Sequence, residues 1–165
     1  MSAAPVFLDV NVPMYAAGEP HAYKEACLWV LTEIAAGRIS AAIDTEAIQE
    51  ILYRYGAQQR WELAVAVANE LLIAVPAVYP VDTTDIRLAI QLFQQYAPQG
   101  VKARDLIHAA VMQNNGLTEI ISTDAHFDRI EGITRMDPLR LFREAQAKRD
   151  SSPDGETVER RGDMG

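Results

Sequence analysis

An aspartate closes an apolar run near the start of this chain, in Val6-Phe7-Leu8-Asp9-Val10-Asn11. That stretch narrows the folds open to the sequence. A short apolar run ending in turn or helix-start residues reads as a strand buried on both faces, as in a parallel sheet. Asp9 then lies at the carboxyl edge of its strand, where open α/β sheets bind ligands. An ionised carboxylate there is costly unless it is paired or bound to metal. The rest of the chain must supply what meets it.

The remaining sequence alternates short apolar segments with longer helical ones. Residues 11–17 start a helical turn that Gly18 and Pro20 interrupt, and 21–36 carries Ala22, Ala26, Trp29, Val30 and Ile34 near helical spacing up to Gly37. A second strand is expected at 38–43, and a helix capped by Asp44 or Thr45 runs to about Tyr55, with Gly56 breaking it. An amphipathic helix at 58–73 and an edge strand at 77–79 between Pro76 and Pro80 follow. Further helices are expected from Asp82 or Thr83 to about Tyr96, at 103–113 and at 138–147. Short strands fall at 119–122 and 133–136, with a turn or short helix at 124–130. Strands alternating with helices imply a parallel sheet covered on both faces.

A length of 165 residues suits one domain with a real core. That domain is expected over 1–147, with a disordered tail over 148–165 that is almost free of apolar residues from Ser151 on. No apolar run approaches a membrane span, and no basic stretch precedes an apolar one at the N-terminus, so neither membrane insertion nor secretion is expected. The single cysteine, Cys27, makes no internal disulfide and fits a cytoplasmic setting. The net charge is −8, carried mostly by the body of the chain. That argues against a nucleic-acid partner unless several acids converge on metal ions.

Four acids fit such a convergence. Asp9 ends the first strand, Asp124 closely follows the strand at 119–122, and Asp105 lies in the first turn of the helix from 103. In a parallel sheet these places share one edge. Glu50 joins them only if its helix packs across that edge. Carboxylates in one cleft raise each other's pKa or recruit cations, and all-oxygen ligation suits Mg²⁺ or Mn²⁺. With such an ion the natural reaction is phosphodiester hydrolysis. Each acid also has an ordinary reading. Asp9 could start a turn, Glu50 and Glu46 could be solvated, Asp105 could answer a helix dipole, and Asp124 could cap a loop. Glu46, one helical turn from Glu50, is the alternative for its role. His108, in an apolar helix, reads as structural, and Trp29 and Trp61 read as core residues. Lys102 and Arg104 read as surface charges close enough to Asp105 to touch a substrate phosphate.

These residues carry a resemblance. Phe7-Leu8-Asp9-Val10-Asn11 resembles the opening strand of PIN-domain nucleases, and Thr45-Glu46-Ala47-Ile48-Gln49-Glu50-Ile51-Leu52 resembles their second acidic segment. Arg104-Asp105-Leu106-Ile107-His108-Ala109-Ala110 and Ile121-Ser122-Thr123-Asp124-Ala125-His126-Phe127-Asp128 resemble the third and fourth. Four segments in order over residues 6 to 142 make a specific signal. The resemblance implies a three-layer α/β/α fold with a central parallel sheet of about four to five strands. It also implies a Mg²⁺ or Mn²⁺ site and RNA cleavage to 5′-phosphate and 3′-hydroxyl ends. The small bacterial members are VapC-like toxins, which implies a cognate antitoxin and a homodimer. Asp9, Glu50, Asp105 and Asp124 map onto the metal-binding acids, and Asn11 and Ser122 onto polar neighbours that orient them. Many members carry a further acid where His126 stands; either Asp128 substitutes for it or a second metal is held more weakly, and one ion or two remains open. Two rival readings stand beside this one. A binding module on the same fold would have a weak metal site. An aspartyl-phosphate phosphatase would need an acid where Asn11 stands.

Overall fold

The computed structural model describes residues 3–152. Five strands, β1 (Val6–Leu8), β2 (Ala41–Asp44), β3 (Ala77–Tyr79), β4 (Glu119–Ile121) and β5 (Thr134–Met136), pair in parallel in the order β3-β2-β1-β4-β5. Around them pack helices α1 (Asn11–Ala17), α2 (Lys24–Ala35), α3 (Thr45–Ala57), α4 (Trp61–Ala74), α5 (Thr83–Tyr96), α6 (Ala103–Asn114) and α7 (Pro138–Ser151). This is the expected three-layer α/β/α arrangement. From β1 the chain steps outward to β2 and β3, then returns to place β4 on the other side of β1. The direction of winding therefore reverses between β1 and β4, and the crevice beyond their carboxyl ends is the fold's natural ligand site.

The core follows the two-residue period of the strands. Phe7, Ala42 and Ile120 face one layer, where they pack with Leu92 of α5 and Leu106, Ala109 and Met112 of α6. Leu8, Ala41, Ile43 and Ile121 face the other, with Val12 of α1, Val30 of α2, Ile51 of α3 and Leu71 of α4. Each large side chain fully buried this way contributes about 1.5–3 kcal/mol. Cys27 is a free, buried member of the second layer.

Several boundaries differ from expectation for local reasons. Residues 38 and 39 do not open β2, because both N–H groups donate to the Glu33 carbonyl and belong to the exit from α2. Gly56 does not end α3, which continues to Ala57; the reversal falls at Gln59, whose φ of 58° lies in the left-handed region. Trp61 is 64 % exposed at the start of α4 and is not a core residue. Trp29 instead packs against Phe142 of α7. That last helix passes the expected boundary at 148 and ends at Ser151, with Lys148 and Arg149 in its last turn complementing the dipole. The rest of the expected tail, from 153 on, lies outside the described residues. Among the described residues no helix is long and apolar enough to cross a membrane.

Candidate metal centre

Asp9 emerges from β1 with its N–H bonded to the Ile121 carbonyl of β4, which ties the two strand ends together. Its Oδ2 accepts from Ser122 Oγ at 2.6 Å and from Asn11 Nδ2 at 2.8 Å. Ser122 Oγ in turn accepts from the Asp124 N–H at 2.9 Å, and Asn11 Oδ1 accepts from the Thr123 N–H at 3.3 Å. Asn11 and Ser122 thus lock the Asp9 carboxylate and the loop that carries Asp124 into one network. Asp124 Oδ1 caps the short 3-10 turn of Ala125–Arg129 by accepting from the His126 N–H, and it lies 2.7 Å from His126 Nδ1.

Glu50 meets this edge from α3. It is buried, and its Oε1 lies 2.6 Å from Arg54 and 3.2 Å from Arg104. Its Oε2 faces His108 Nε2 at 3.6 Å, an ion-pair contact rather than a hydrogen bond. Glu46 shares Arg104 with Glu50 but, among the described residues, makes no contact with His108. Glu50, not Glu46, therefore belongs to the acidic edge. One ligand atom each from Asp9, Glu50 and His108 lie within 4.8 Å of one another, close enough to share an ion.

Burial sets the electrostatics. It pushes Asp9 above its ordinary range, with Glu50 adding to the push and the His108 charge and Ser122 hydrogen bond opposing it. Asp105 rises to about 6, first through burial, then through the charges of Asp9 and Asp124. Glu50 falls to about 2, because His108, Arg54 and Arg104 outweigh its burial. Burial would depress His108, yet Asp44, Glu50 and Asp9 raise it to about 10. The centre thus holds two acids that resist ionisation, Asp9 and Asp105, and a buried carboxylate oxygen, Asp105 Oδ2, with no hydrogen-bond partner among the described residues; His108 Nε2, on a ring held as a cation, faces Glu50. Orphaned buried groups of this kind cost free energy unless a cation meets them. The donor set fits a divalent ion.

The other expected site residues surround this edge in different ways. Asp128 is half-exposed and forms a two-point pair with Arg135, at 3.0 and 3.1 Å. Arg135 also donates to the Ser122 carbonyl, which links Asp128 to the edge. Lys102 is exposed before α6, and Arg104 is held by Glu46 and Glu50.

A family model described as the PIN domain matches residues 6–133. The chain belongs to the PIN domain family. Ribonuclease VapC13 of Mycobacterium tuberculosis is 33% identical over 131 residues, covering 79% of this chain and 98% of that one. Ribonuclease VapC23 of the same organism is 31% identical over 119 residues, covering 72% and 92%. The fold is similar to that of VapBC2 from Rickettsia felis bound to a promoter DNA fragment, with a TM-score of 0.63, 16% identity and coverage of 81% and 98%. It is also similar to VapC20 from Mycobacterium tuberculosis, a Sarcin-Ricin loop cleaving toxin, with a TM-score of 0.63, 17% identity and coverage of 75% and 93%.

Within this PIN domain the expected cap Asp44 and the structural His108 form a pair that the sequence did not indicate. Asp44 caps α3 by accepting from the Ala47 N–H, and its other oxygen lies 2.7 Å from His108 Nδ1. Both side chains are fully buried. That pairing joins residues 64 apart in sequence, so no local signal marks it. It turns His108 so that Nε2 faces Glu50 and Asp9.

Proposed function

We propose that this PIN domain is a divalent-metal-dependent endoribonuclease and the toxin of a type II toxin–antitoxin pair. The observation that carries the reading is Asp105. Its Oδ2 is buried without a partner, and the charges of Asp9 and Asp124 act on it. A cluster that destabilises its own carboxylates is built to gain a cation. The relatives named as VapC ribonucleases supply the reaction class.

Asp9, Asp105 and Asp124 would hold the ion, with Glu50 at its flank; oxygen donors of this kind favour Mg²⁺, with Mn²⁺ as an alternative. When bound, the ion lowers the pKa of a water and offsets charge on the leaving oxygen. Ser122 and Asn11 keep Asp9 aimed at the crevice through their shared hydrogen bonds. Glu50 stays ionised at any working pH, because three cationic side chains surround it. Asp9 and Asp105, both held above their ordinary range, must lose their protons before the site is complete.

An apolar groove of about 300 Å³ between α1, α2 and α4, lined by Pro13, Ala16, Leu28, Leu31, Val67 and Leu71, supports a cognate antitoxin as partner. Exposed Ile86, Ile90 and Phe93 on α5 support a homodimer. Cytoplasmic action belongs to the same proposal. The function is tested with purified protein and single-stranded RNA in Mg²⁺ or Mn²⁺. Internal cleavage that stops on adding a chelator is expected; no cleavage in either metal would favour the binding-module reading.

A further inference from the structure

The Arg104 guanidinium lies over the ring of Tyr53 beside the acidic edge. Arg104 Cζ lies 5.3 Å from the centre of the Tyr53 ring. The same guanidinium is fixed by Glu46 Oε1 at 3.3 Å and Glu50 Oε1 at 3.2 Å. Two carboxylates and a ring thus order a planar cation, while Tyr53 keeps 60 % of its surface open to solvent. Tyrosine rings and guanidinium planes are the surfaces on which unpaired bases stack. Building on the ribonuclease reading, we propose that Tyr53 and Arg104 form a stacking platform for an unpaired base of single-stranded RNA, next to the bond cleaved at the acidic edge.

Glu50 connects the platform to the site. Its Oε1 holds Arg104 and Arg54, and its Oε2 faces the buried cluster of His108 and Asp9. A base on Tyr53 is therefore one side chain from the acids. The charge balance points the same way. The chain carries a net charge of −8, and both arginines beside the site are already paired with Glu46 and Glu50. Few free cations remain there to grip phosphates, and base stacking needs none. Bases within a duplex offer no open face, so the platform selects unpaired segments. The other candidate occupant is a second copy of this chain, since Leu52 beside Tyr53 is also exposed. A base stacks on tyrosine and guanidinium planes alike, so the ordered pair suits RNA, and the contact between copies is left as an outcome of the test.

The test measures RNA binding in the Asp9→Asn variant, which keeps the RNA intact. The probes are an end-labelled oligoadenylate and an abasic ribose-phosphate oligomer of the same length. Adding Tyr53→Ala is expected to weaken oligoadenylate binding about tenfold and to leave the abasic oligomer unaffected. Tyr53→Trp is expected to retain binding and gain a fluorescence signal quenched by oligoadenylate alone. Unchanged oligoadenylate affinity, or an equal loss for both probes, overturns the platform. A loss that appears only together with a shift to monomer in sedimentation also overturns it and assigns Tyr53 to a contact between copies. The ribonuclease reading fails separately, if the chain with Asp9 intact leaves RNA uncut in Mg²⁺ and Mn²⁺ while still discriminating the two probes.

Discussion

Asp9→Asn is expected to lower RNA cleavage in Mg²⁺ or Mn²⁺ by about a thousandfold, the equivalent of several kcal/mol of transition-state stabilisation supplied through the ion. The fold is expected to survive. Asparagine keeps an oxygen that can accept from Ser122 and Asn11, the two donors that fix Asp9 Oδ2. Burial raises the pKa of Asp9, so at neutral pH its charge opposes folding of the metal-free chain. Removing that charge is expected to leave the metal-free melting temperature unchanged or higher. Single-turnover cleavage and thermal melting check the two halves. Cleavage at the normal rate by Asp9→Asn would show that Asp9 does not hold the ion.

The second large effect falls on stability. His108→Leu strands Asp44, fully buried and left with only the Ala47 N–H, and removes the cation facing Glu50 Oε2. Breaking one side of a buried pair costs about 3–5 kcal/mol, because the other charge stays behind. Denaturant titration should show a loss of that size. Asp44→Ser combined with His108→Leu should recover much of it, since serine still caps α3 and no buried charge remains. The pH dependence has a definite sign. His108 is raised from an ordinary 6.5 to about 10, so its stabilisation is complete below pH 6.5 and is lost as pH rises through about 10. The gap between wild type and His108→Leu should therefore be widest in acid to neutral solution and should close towards pH 10. A gap that stays constant across that range would mean that His108 is not held as a cation.

The sequence made the architecture legible because each short strand is bounded by turn chemistry and each helix has an apolar face. Val6 to Asn11 alone placed Asp9 at the right edge, and β3 fell on the expected residues because Pro76 and Pro80 bracket it. Helix ends were less legible. Gly56 continues α3, since one unfavourable residue near a helix end is outweighed by the buried Tyr55 before it. Asp9, Asp105 and Asp124 could be grouped from the sequence because all three follow strand ends or begin a helix at one edge. The partners of those acids could not. The pairings of Asp44 with His108, Glu50 with Arg104 and Asp128 with Arg135 leave no periodic trace, whereas Glu50 and Arg54 stand one helical turn apart in α3, a spacing the sequence does carry.

Mn²⁺ titration calorimetry of the RNA-free protein asks whether these separated acids hold one divalent centre. Asp105 is raised from 3.8 to about 6, so in the metal-free chain it adds stability below pH 3.8 that is lost as pH rises through about 6. Ion binding needs that proton gone, and so strengthens over the same interval. The affinity for Mn²⁺ should be about tenfold higher at pH 7 than at pH 5, and Asp105→Asn should remove both the binding and its pH dependence. Mn²⁺ binding that is unchanged in Asp105→Asn, or no binding by the wild-type chain at pH 7, would contradict such a centre.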